Sequence, residues 1–166
     1  MLLFLERKSK HFPWYSFVIF FLLSGACASH KKILVRQQKV ETVIHTAKTF
    51  VGTPYLYGGT SRRGMDCSAL LISSFQAIDL DLPRTSRDQS RFGKEIKLKK
   101  LQPGDMVFFA TGKRRRKVTH AGLVTEVEGR QDIKFIHAST SLGVIETNIF
   151  SDYYRKRFRV GRRVID

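Results

Sequence analysis

Three residues of this 166-residue chain carry the side chains of a nucleophile and a base. Cys67 stands in the stretch "MDCSALL", directly before apolar residues, and His120 and His137 stand in "THAG" and "IHAS". A cysteine attacks a carbonyl carbon as a thiolate, so it needs a base that removes its proton and a setting that favours the anion. Imidazole is the usual base in proteins, because it changes charge near neutral pH.

A helix is expected to position the cysteine. Leu70, Leu71, Phe75 and Ile78 follow helical spacing and predict a helix over 67–78 that begins at Asp66 or Cys67. The N-terminus of a helix carries a partial positive charge, which favours a thiolate.

Strands are expected to position the two histidines. After the turn at Pro103-Gly104, four short segments are rich in β-branched and aromatic residues: "DMVFFA", "VTHAGLVTEV", "DIKFIHA" and "GVIETN". Alternation puts His137 on the buried face with Ile133 and Phe135. If the two histidine strands are neighbours, His137 can hold the ring of His120, which gives a nucleophile, a base and an orienting residue.

Spacing alone leaves two other interpretations of these residues open. Cys67 is equally compatible with a place in the core, where each histidine would have a local partner. A zinc site of two histidines and one cysteine is a further option, but the spacings fit none of the compact ligand motifs. We expect no metal and no cofactor.

The first residues have the layout of a secretory signal. Basic residues in "LERKSKH" precede the apolar run "FPWYSFVIFFLL" and the small residues "SGAC", so residues 1–26 are predicted to be a signal peptide. "LLSGAC" resembles the lipobox of bacterial lipoproteins, which implies a lipid on Cys27 and a tether over 27–39. Cys67 then has no partner for a disulfide, and an unpaired thiol in an oxidising compartment needs a role.

The remaining pattern indicates one α+β domain over 40–166. Helical spacing begins at Val40 and stops at Gly52 and Pro54, and "PYLYGGTSRRGM" is predicted to be a loop. A capping box formed by Ser86 and Gln89 predicts a short helix that ends at Gly93. Helices followed by strands indicate helices packed on an antiparallel sheet.

A formal net charge of +16 predicts an anionic partner, such as a lipid surface or a cell-wall polymer. The signal sequence and the lack of an aromatic-basic motif argue against nucleic acid. The run "KRRRK", Lys113 to Lys117, is predicted to be a solvated hairpin tip, with contact to lipid phosphates or wall polymers as the alternative.

Six motifs in order resemble the NlpC-type cell-wall cysteine peptidases, a papain-like family: "GTPYLYGG", "GMDCSAL", "LPRTSRDQ", "LQPGDMVFF", "VTHAGLV" and "FIHAST". The resemblance implies that Cys67 is the nucleophile, His120 the general base, and His137 the residue that orients His120. It also implies a substrate-binding role for a set of cleft residues, which comprises Tyr57, Asp66, Ser68, Arg84 and Ser86.

Structural roles for four of these cleft residues are the alternative. Asp66 and Ser86 are plausible helix caps, Arg84 a surface ion-pair former, and Tyr57 a packed aromatic. Ala69 departs from the family pattern, which usually has glycine after Asp-Cys-Ser.

The resemblance further implies hydrolysis of amide bonds in peptidoglycan stem peptides or cross-links. The competing function is a wall-binding or scaffold lipoprotein without turnover. We expect a monomer anchored through Cys27 in the outer membrane, facing the periplasm, and the sequence leaves open which peptidoglycan bond is cut.

Overall fold

A computed structural model describes residues 15–113 and 116–166 of the chain. The chain divides into two compact units, 1–35 and 36–166, and the second unit contains all of the predicted site residues except Cys27. Helix α1, Tyr15–Lys48, begins in the first unit and ends in the second. Among the described residues, no helix has a stretch long and apolar enough to cross a membrane.

Helix α1 is longer than its sequence pattern predicts. The start expected at Val40 is wrong, because the helix also covers the predicted tether, 27–39. No glycine or proline lies between Ala26 and Gly52, so nothing in the sequence interrupts the backbone hydrogen bonds. The helix ends at Lys48, and Gly52 then takes a φ of 84° that favours glycine. The first part of the predicted signal peptide, 1–14, lies outside the described residues.

Three further α-helices follow: α2 is Cys67–Gln76, α3 is Ser86–Gln89 and α4 is Asp152–Arg155. A 3-10 turn spans Leu98–Lys100. The prediction that α2 begins at Asp66 or Cys67 is confirmed, with Asp66 as its N-cap. The predicted bounds of α3 are wrong. Thr85, one residue before Ser86, caps this helix and accepts a hydrogen bond from the Asp88 N–H, and the helix stops at Gln89.

Six antiparallel strands form the main sheet, in the order β3-β8-β4-β5-β6-β7. Their bounds are β3 Lys94–Ile96, β4 Met106–Phe109, β5 His120–Val127, β6 Ile133–Ser139, β7 Gly143–Asn148 and β8 Phe158–Arg163. The four predicted strands correspond to β4 to β7 and are confirmed. The pattern missed β3 and β8, and also the small hairpin of β1, Thr60–Ser61, and β2, Gly64–Met65, within the predicted loop.

The sheet separates two apolar clusters. On one side, α1 and α2 contribute Val43, Leu70 and Phe75, which pack with Phe108 and Leu123. The second cluster includes the strand residues Phe109, Val124 and Phe135, with Tyr154 of α4 packed against it. This arrangement of N-terminal helices on a C-terminal antiparallel sheet is the predicted α+β fold.

Candidate active site

Cys67 is the first residue of α2 and a free thiol. The backbone N–H of Ala121, the residue directly after His120 in β5, acts on its sulfur and favours the anionic form. Although Cys67 is only 7% exposed, it lines an open cleft. The nucleophile candidate therefore lies at the junction of a helix N-terminus with the start of the strand that carries His120.

The two strand histidines are in direct contact. Nε2 of His120 and Nδ1 of His137 lie 3.0 Å apart. Strands β5 and β6 are neighbours with Leu123 opposite Ile136, and continuing this register puts Gly122 opposite His137 and His120 on the diagonal. Because Gly122 has no side chain, the Phe135 ring, which stacks on His137, can lie against β5 at this point. Nδ1 is then the ring nitrogen of His120 that does not face His137.

A residue that sequence reasoning missed extends this chain of hydrogen bonds. Nε2 of His137 lies 3.2 Å from the Thr147 hydroxyl on β7. A base that takes a proton on Nδ1 carries its own proton on Nε2, so His120 donates to His137, and His137 donates to Thr147. The order of β5, β6 and β7 thus assigns one tautomer to each ring. Thr147 has no local signal in the sequence, because its role depends on strand pairing.

Aromatic rings enclose the two histidines on the second-cluster side of the sheet. The Phe135 ring stacks on His137 with centroids 4.7 Å apart, and Tyr154 stacks on His120 at 6.1 Å. Tyr154 also meets His137 edge-on at 5.0 Å, and burial raises the pKa of its hydroxyl to about 12. Tyr154 therefore stays neutral and limits rotation of both imidazole rings. The aromatic pair in "SDYYRK" is the sequence signal that points to this position.

Burial controls the electrostatics of the nucleophile and the base. Burial raises the pKa of the Cys67 thiol to about 11, and this effect exceeds that of the N–H groups of Ala121 and Ser68, which favour the anion. Burial also lowers the pKa of His120 to about 4 and that of His137 to about 3. The sequence predicted a setting that favours thiolate, whereas the free site holds a neutral thiol beside neutral imidazoles.

Asp66 organises the residues next to the nucleophile. Its carboxylate accepts hydrogen bonds from both terminal nitrogens of Arg84, at 3.1 and 2.7 Å, and from the Ser68 hydroxyl at 2.8 Å. It also accepts from the N–H groups of Gly58 at 3.1 Å and Ala69 at 2.8 Å. Burial alone raises the pKa of Asp66, but the hydrogen bonds from Arg84, Ala69 and Ser68 outweigh it and hold that pKa below its usual value. Asp66 is thus both a helix cap and an ion-pair partner of Arg84.

All five residues of the predicted substrate-binding set line one cleft of about 320 Å³ together with Cys67. We call this space the catalytic cleft, and Tyr55, Gly58, Thr85 and Thr119 complete its lining. Tyr57 is 89% exposed, so it is free to contact a ligand rather than packed as a core aromatic. Tyr55 was not predicted, yet burial and the neighbouring Cys67 raise the pKa of its hydroxyl.

Outside the catalytic cleft, two features of the described structure bear on other clusters of catalytic or metal-binding side chains: its other cavities, and the placement of its histidine, cysteine and acidic residues. A larger cavity of about 680 Å³ lies on the sheet side that holds the second cluster, and its described lining contains no cysteine, histidine or carboxylate. Within residues 15–113 and 116–166, no group of three or more histidine, cysteine or acidic side chains is placed to hold a metal ion.

Known proteins are similar to this chain in sequence, and solved structures are similar to it in fold. The NlpC/P60 family matches residues 52–163. The chain is 35% identical over 150 residues to "Probable endopeptidase NlpC" of Escherichia coli K12, which covers 86% of this chain and 94% of that protein. It is 33% identical over 134 residues to "Murein DD-endopeptidase MepS/Murein LD-carboxypeptidase" of the same organism, which covers 80% of this chain and 67% of that protein.

Among solved structures, an NlpC/P60 family protein from Bacillus cereus superposes with a TM-score of 0.68 at 28% identity. The match covers 76% of this chain and 40% of that longer chain. The match across residues 52–163 and the 35% identity to a relative of nearly the same length show that the chain belongs to the NlpC/P60 family.

Proposed function

We propose that this protein is a cysteine peptidase that hydrolyses amide bonds in the stem peptides or cross-links of peptidoglycan, with Cys67, His120 and His137 as its catalytic triad. The main support is one arrangement of residues. Cys67 begins α2 where the N–H that follows His120 acts on its sulfur, and Nδ1 of His137 lies 3.0 Å from Nε2 of His120. The relatives named for murein and NlpC endopeptidase activity support the substrate class.

The reaction begins from neutral groups. As the sulfur attacks the carbonyl carbon, its proton passes to Nδ1 of His120, and the ion pair that forms is stabilised by the attraction of opposite charges in a buried site. The Nε2–H bond to His137 fixes the ring and spreads the new positive charge. The N–H groups of Cys67 and Ser68 are the proposed donors to the developing oxyanion, because they lie at the start of α2, whereas the Ala69 N–H is already bonded to Asp66.

The second half of the reaction restores the enzyme. Imidazolium at His120 gives its proton to the leaving amine, and the acyl group remains on sulfur as a thioester. Water then attacks the thioester while His120 takes the water proton and returns it to the sulfur. No step uses a metal or a cofactor.

The Asp66 and Arg84 pair, with Ser68, Tyr57 and Ser86, is proposed to bind the peptide beside the scissile bond. The Arg84 side chain is 44% exposed in its ion pair with Asp66, so it offers donors to the cleft while holding the carboxylate. Arginine donates to carboxylate oxygens in a planar fork, which suits a peptide rich in carboxylates.

Replacement of Cys67 by alanine tests the proposal. We expect Cys67→Ala to release soluble fragments from purified peptidoglycan more than about a thousandfold more slowly than the wild type, because the nucleophile is gone. Ser74→Ala is the matched control, since Ser74 is a small, fully buried residue on the same helix whose hydroxyl bonds to the Leu70 carbonyl.

Fragment release by Cys67→Ala at the wild-type rate would contradict the peptidase proposal and favour a scaffold without turnover. Mass spectrometry of the wild-type fragments identifies the bond, which is either the cross-link between diaminopimelate and D-alanine or the bond between D-glutamate and diaminopimelate.

We propose further that 40–166 is the catalytic domain of a monomeric outer-membrane lipoprotein that faces the periplasm. Residues 1–26 would be removed, and lipid on Cys27 would anchor the tether 27–39. The family match at residues 52–163 lies within the proposed domain. Mass spectrometry of the mature N-terminus tests the anchor, because lipidation adds acyl mass to Cys27 and Cys27→Ser removes it.

A further inference from the structure

A second, strongly basic cleft of about 450 Å³ lies beside the catalytic cleft. Arg87, Ser90 and Arg91 line it from α3 and the turn after that helix, and Arg116, Lys117 and Val118 line it from the connection between β4 and β5. All four cations of this basic cleft are exposed. The described part of the "KRRRK" run thus forms one wall of a defined cleft.

Two segments, one at α3 and one directly before β5, contribute residues to both clefts. Thr85 and Ser86 line the catalytic cleft, and Arg87 follows them directly in the basic cleft. Thr119 lines the catalytic cleft, and Lys117, two residues earlier, lines the basic one. Two residues of chain span at most about 7 Å. The basic cleft therefore continues the catalytic cleft along its wall.

Within the described part of the chain, the cations of the basic cleft have no acidic partner. No carboxylate is among the described residues that line the cleft, and none of the ion pairs among the described residues includes Arg87, Arg91, Arg116 or Lys117. The acidic residue of α3, Asp88, accepts a hydrogen bond from the Thr85 hydroxyl at 2.6 Å instead. Four like charges at one cleft repel one another, and a bound anion relieves that repulsion.

We propose that the basic cleft is a subsite for carboxylates of the substrate peptide, about two to three residues from the scissile amide. An extended peptide advances about 3.3 to 3.6 Å per residue, so two or three residues reach from one cleft to the other. Arginine and lysine bind carboxylates through charge-assisted hydrogen bonds. This inference rests on the proposed peptidase function, and it assigns a specificity role to Arg87 and Lys117.

Two synthetic peptides with the same scissile bond test the subsite. One has the free carboxylates of a stem peptide, and in the other these groups are carboxamides. The test protein is the full chain with Arg87→Gln and Lys117→Gln. The control carries Arg130→Gln and Lys99→Gln, which remove the same charge from exposed residues at the larger cavity.

We expect the double variant in the basic cleft to raise KM for the carboxylate peptide by roughly two- to fivefold for each charge removed, with kcat unchanged. KM for the carboxamide peptide should stay at the wild-type value, and the control should match the wild type on both peptides. Equal losses on both peptides, or no loss on either, would overturn the subsite.

Two further measurements distinguish peptide binding from lipid binding at the basic cleft. If the variant keeps wild-type kinetics but loses binding to vesicles containing phosphatidylglycerol, the cations contact lipid and the subsite is wrong. Calorimetric binding of both peptides to the Cys67→Ala protein tests the subsite without turnover. A wild type that binds the carboxylate peptide more tightly but cleaves neither peptide would refute the peptidase and leave the subsite standing.

Discussion

At the scale of single residues, the proposed activity depends on the protonation of two buried side chains, those of Cys67 and His120. Burial lowers the pKa of His120 to about 4 and raises that of Cys67 to about 11, so thiol and imidazole are both neutral between these values. His120 is 8% exposed and packs against Tyr154, which keeps water from stabilising its charged form. A neutral imidazole is the form that accepts the thiol proton.

These pKa values predict that the activity is lost only at a low pH. Below its pKa, His120 is protonated and cannot act as the base, so kcat/KM should fall with a midpoint near pH 4 and stay level through neutral pH. The measurement is kcat/KM against pH on a carboxamide peptide, whose own charge does not change in this range.

Circular dichroism at each pH supplies the folded fraction for correction. An acid limb near pH 6.5, the ordinary value for histidine, would mean that His120 is solvated in the working enzyme and would contradict the buried, neutral pair.

At the scale of elements, the start of α2 combines a helix cap with the proposed nucleophile. Asp66 caps the helix, Cys67 is its first residue, and Ala69 donates its N–H to the cap. The Ala69 side chain is 2% exposed, so its methyl group packs in the core rather than narrowing the cleft. The departure from the family's usual glycine is therefore expected to act on stability.

We predict that Ala69→Gly lowers the free energy of unfolding by about 1 to 2 kcal/mol, through the poorer helix propensity of glycine and the loss of a buried methyl group. Activity on peptidoglycan should remain, because the backbone N–H that bonds to Asp66 is unchanged. Urea denaturation at neutral pH measures the change.

Ala77→Gly is the comparison variant for this helix. Ala77 is the C-cap of α2 and is exposed, so its replacement removes neither a helix-interior residue nor a buried methyl group, and it should cost less than half as much. An equal cost at both positions would show that Ala69 makes no special contribution to the start of α2.

At the scale of the whole molecule, the end of the chain completes the sheet. Strand β8 lies between β3 and β4, and Arg163 near its end donates to both oxygens of the fully buried Asp105 at 2.7 and 2.8 Å. Arg163 thus ties the C-terminal strand to the Pro103-Gly104 turn that precedes β4. The strands that carry His120 and His137 are positioned by this complete sheet.

The two buried histidines also make the stability of the molecule depend on pH. Their pKa values are lower in the fold than in the unfolded chain, so below about pH 6.5 the unfolded chain binds more protons than the fold. The contribution of the two histidines to the free energy of unfolding is therefore full above about pH 6.5 and is lost as the pH falls toward 4. At pH 5, each buried histidine should lower the free energy of unfolding by about 2 kcal/mol relative to its value at neutral pH.

Comparison of the wild type with His137→Gln isolates this effect. The variant lacks one of the two histidines, so its free energy of unfolding should fall about half as much between pH 7 and pH 5, measured by urea denaturation. Parallel stability curves for the two proteins would show that His137 is not held neutral by the fold.

The sequence by itself determined the local features of this protein. Periodicity and the Asp66 cap predicted where α2 begins, so the position of Cys67 at a helix N-terminus followed from residues close in the chain. Enrichment in β-branched and aromatic residues predicted the strands of His120 and His137, and alternation predicted the burial of His137. Sequence motifs suggested the family, and the match to residues 52–163 confirmed it.

Only the tertiary structure decided which distant residues meet. Strand order and register bring His137 to His120 and Thr147, and α4 brings Tyr154 onto both rings, although no short-range pattern marks Thr147. Strand β8 lacks a clear alternation of buried and exposed residues, so its sequence does not mark it as a strand. Its pairing with β3 and β4 and the ion pair of Arg163 hold it in place instead. The protonation of Cys67 was also decided here, because desolvation depends on every group packed around the sulfur and outweighed the local effect of the helix N-terminus.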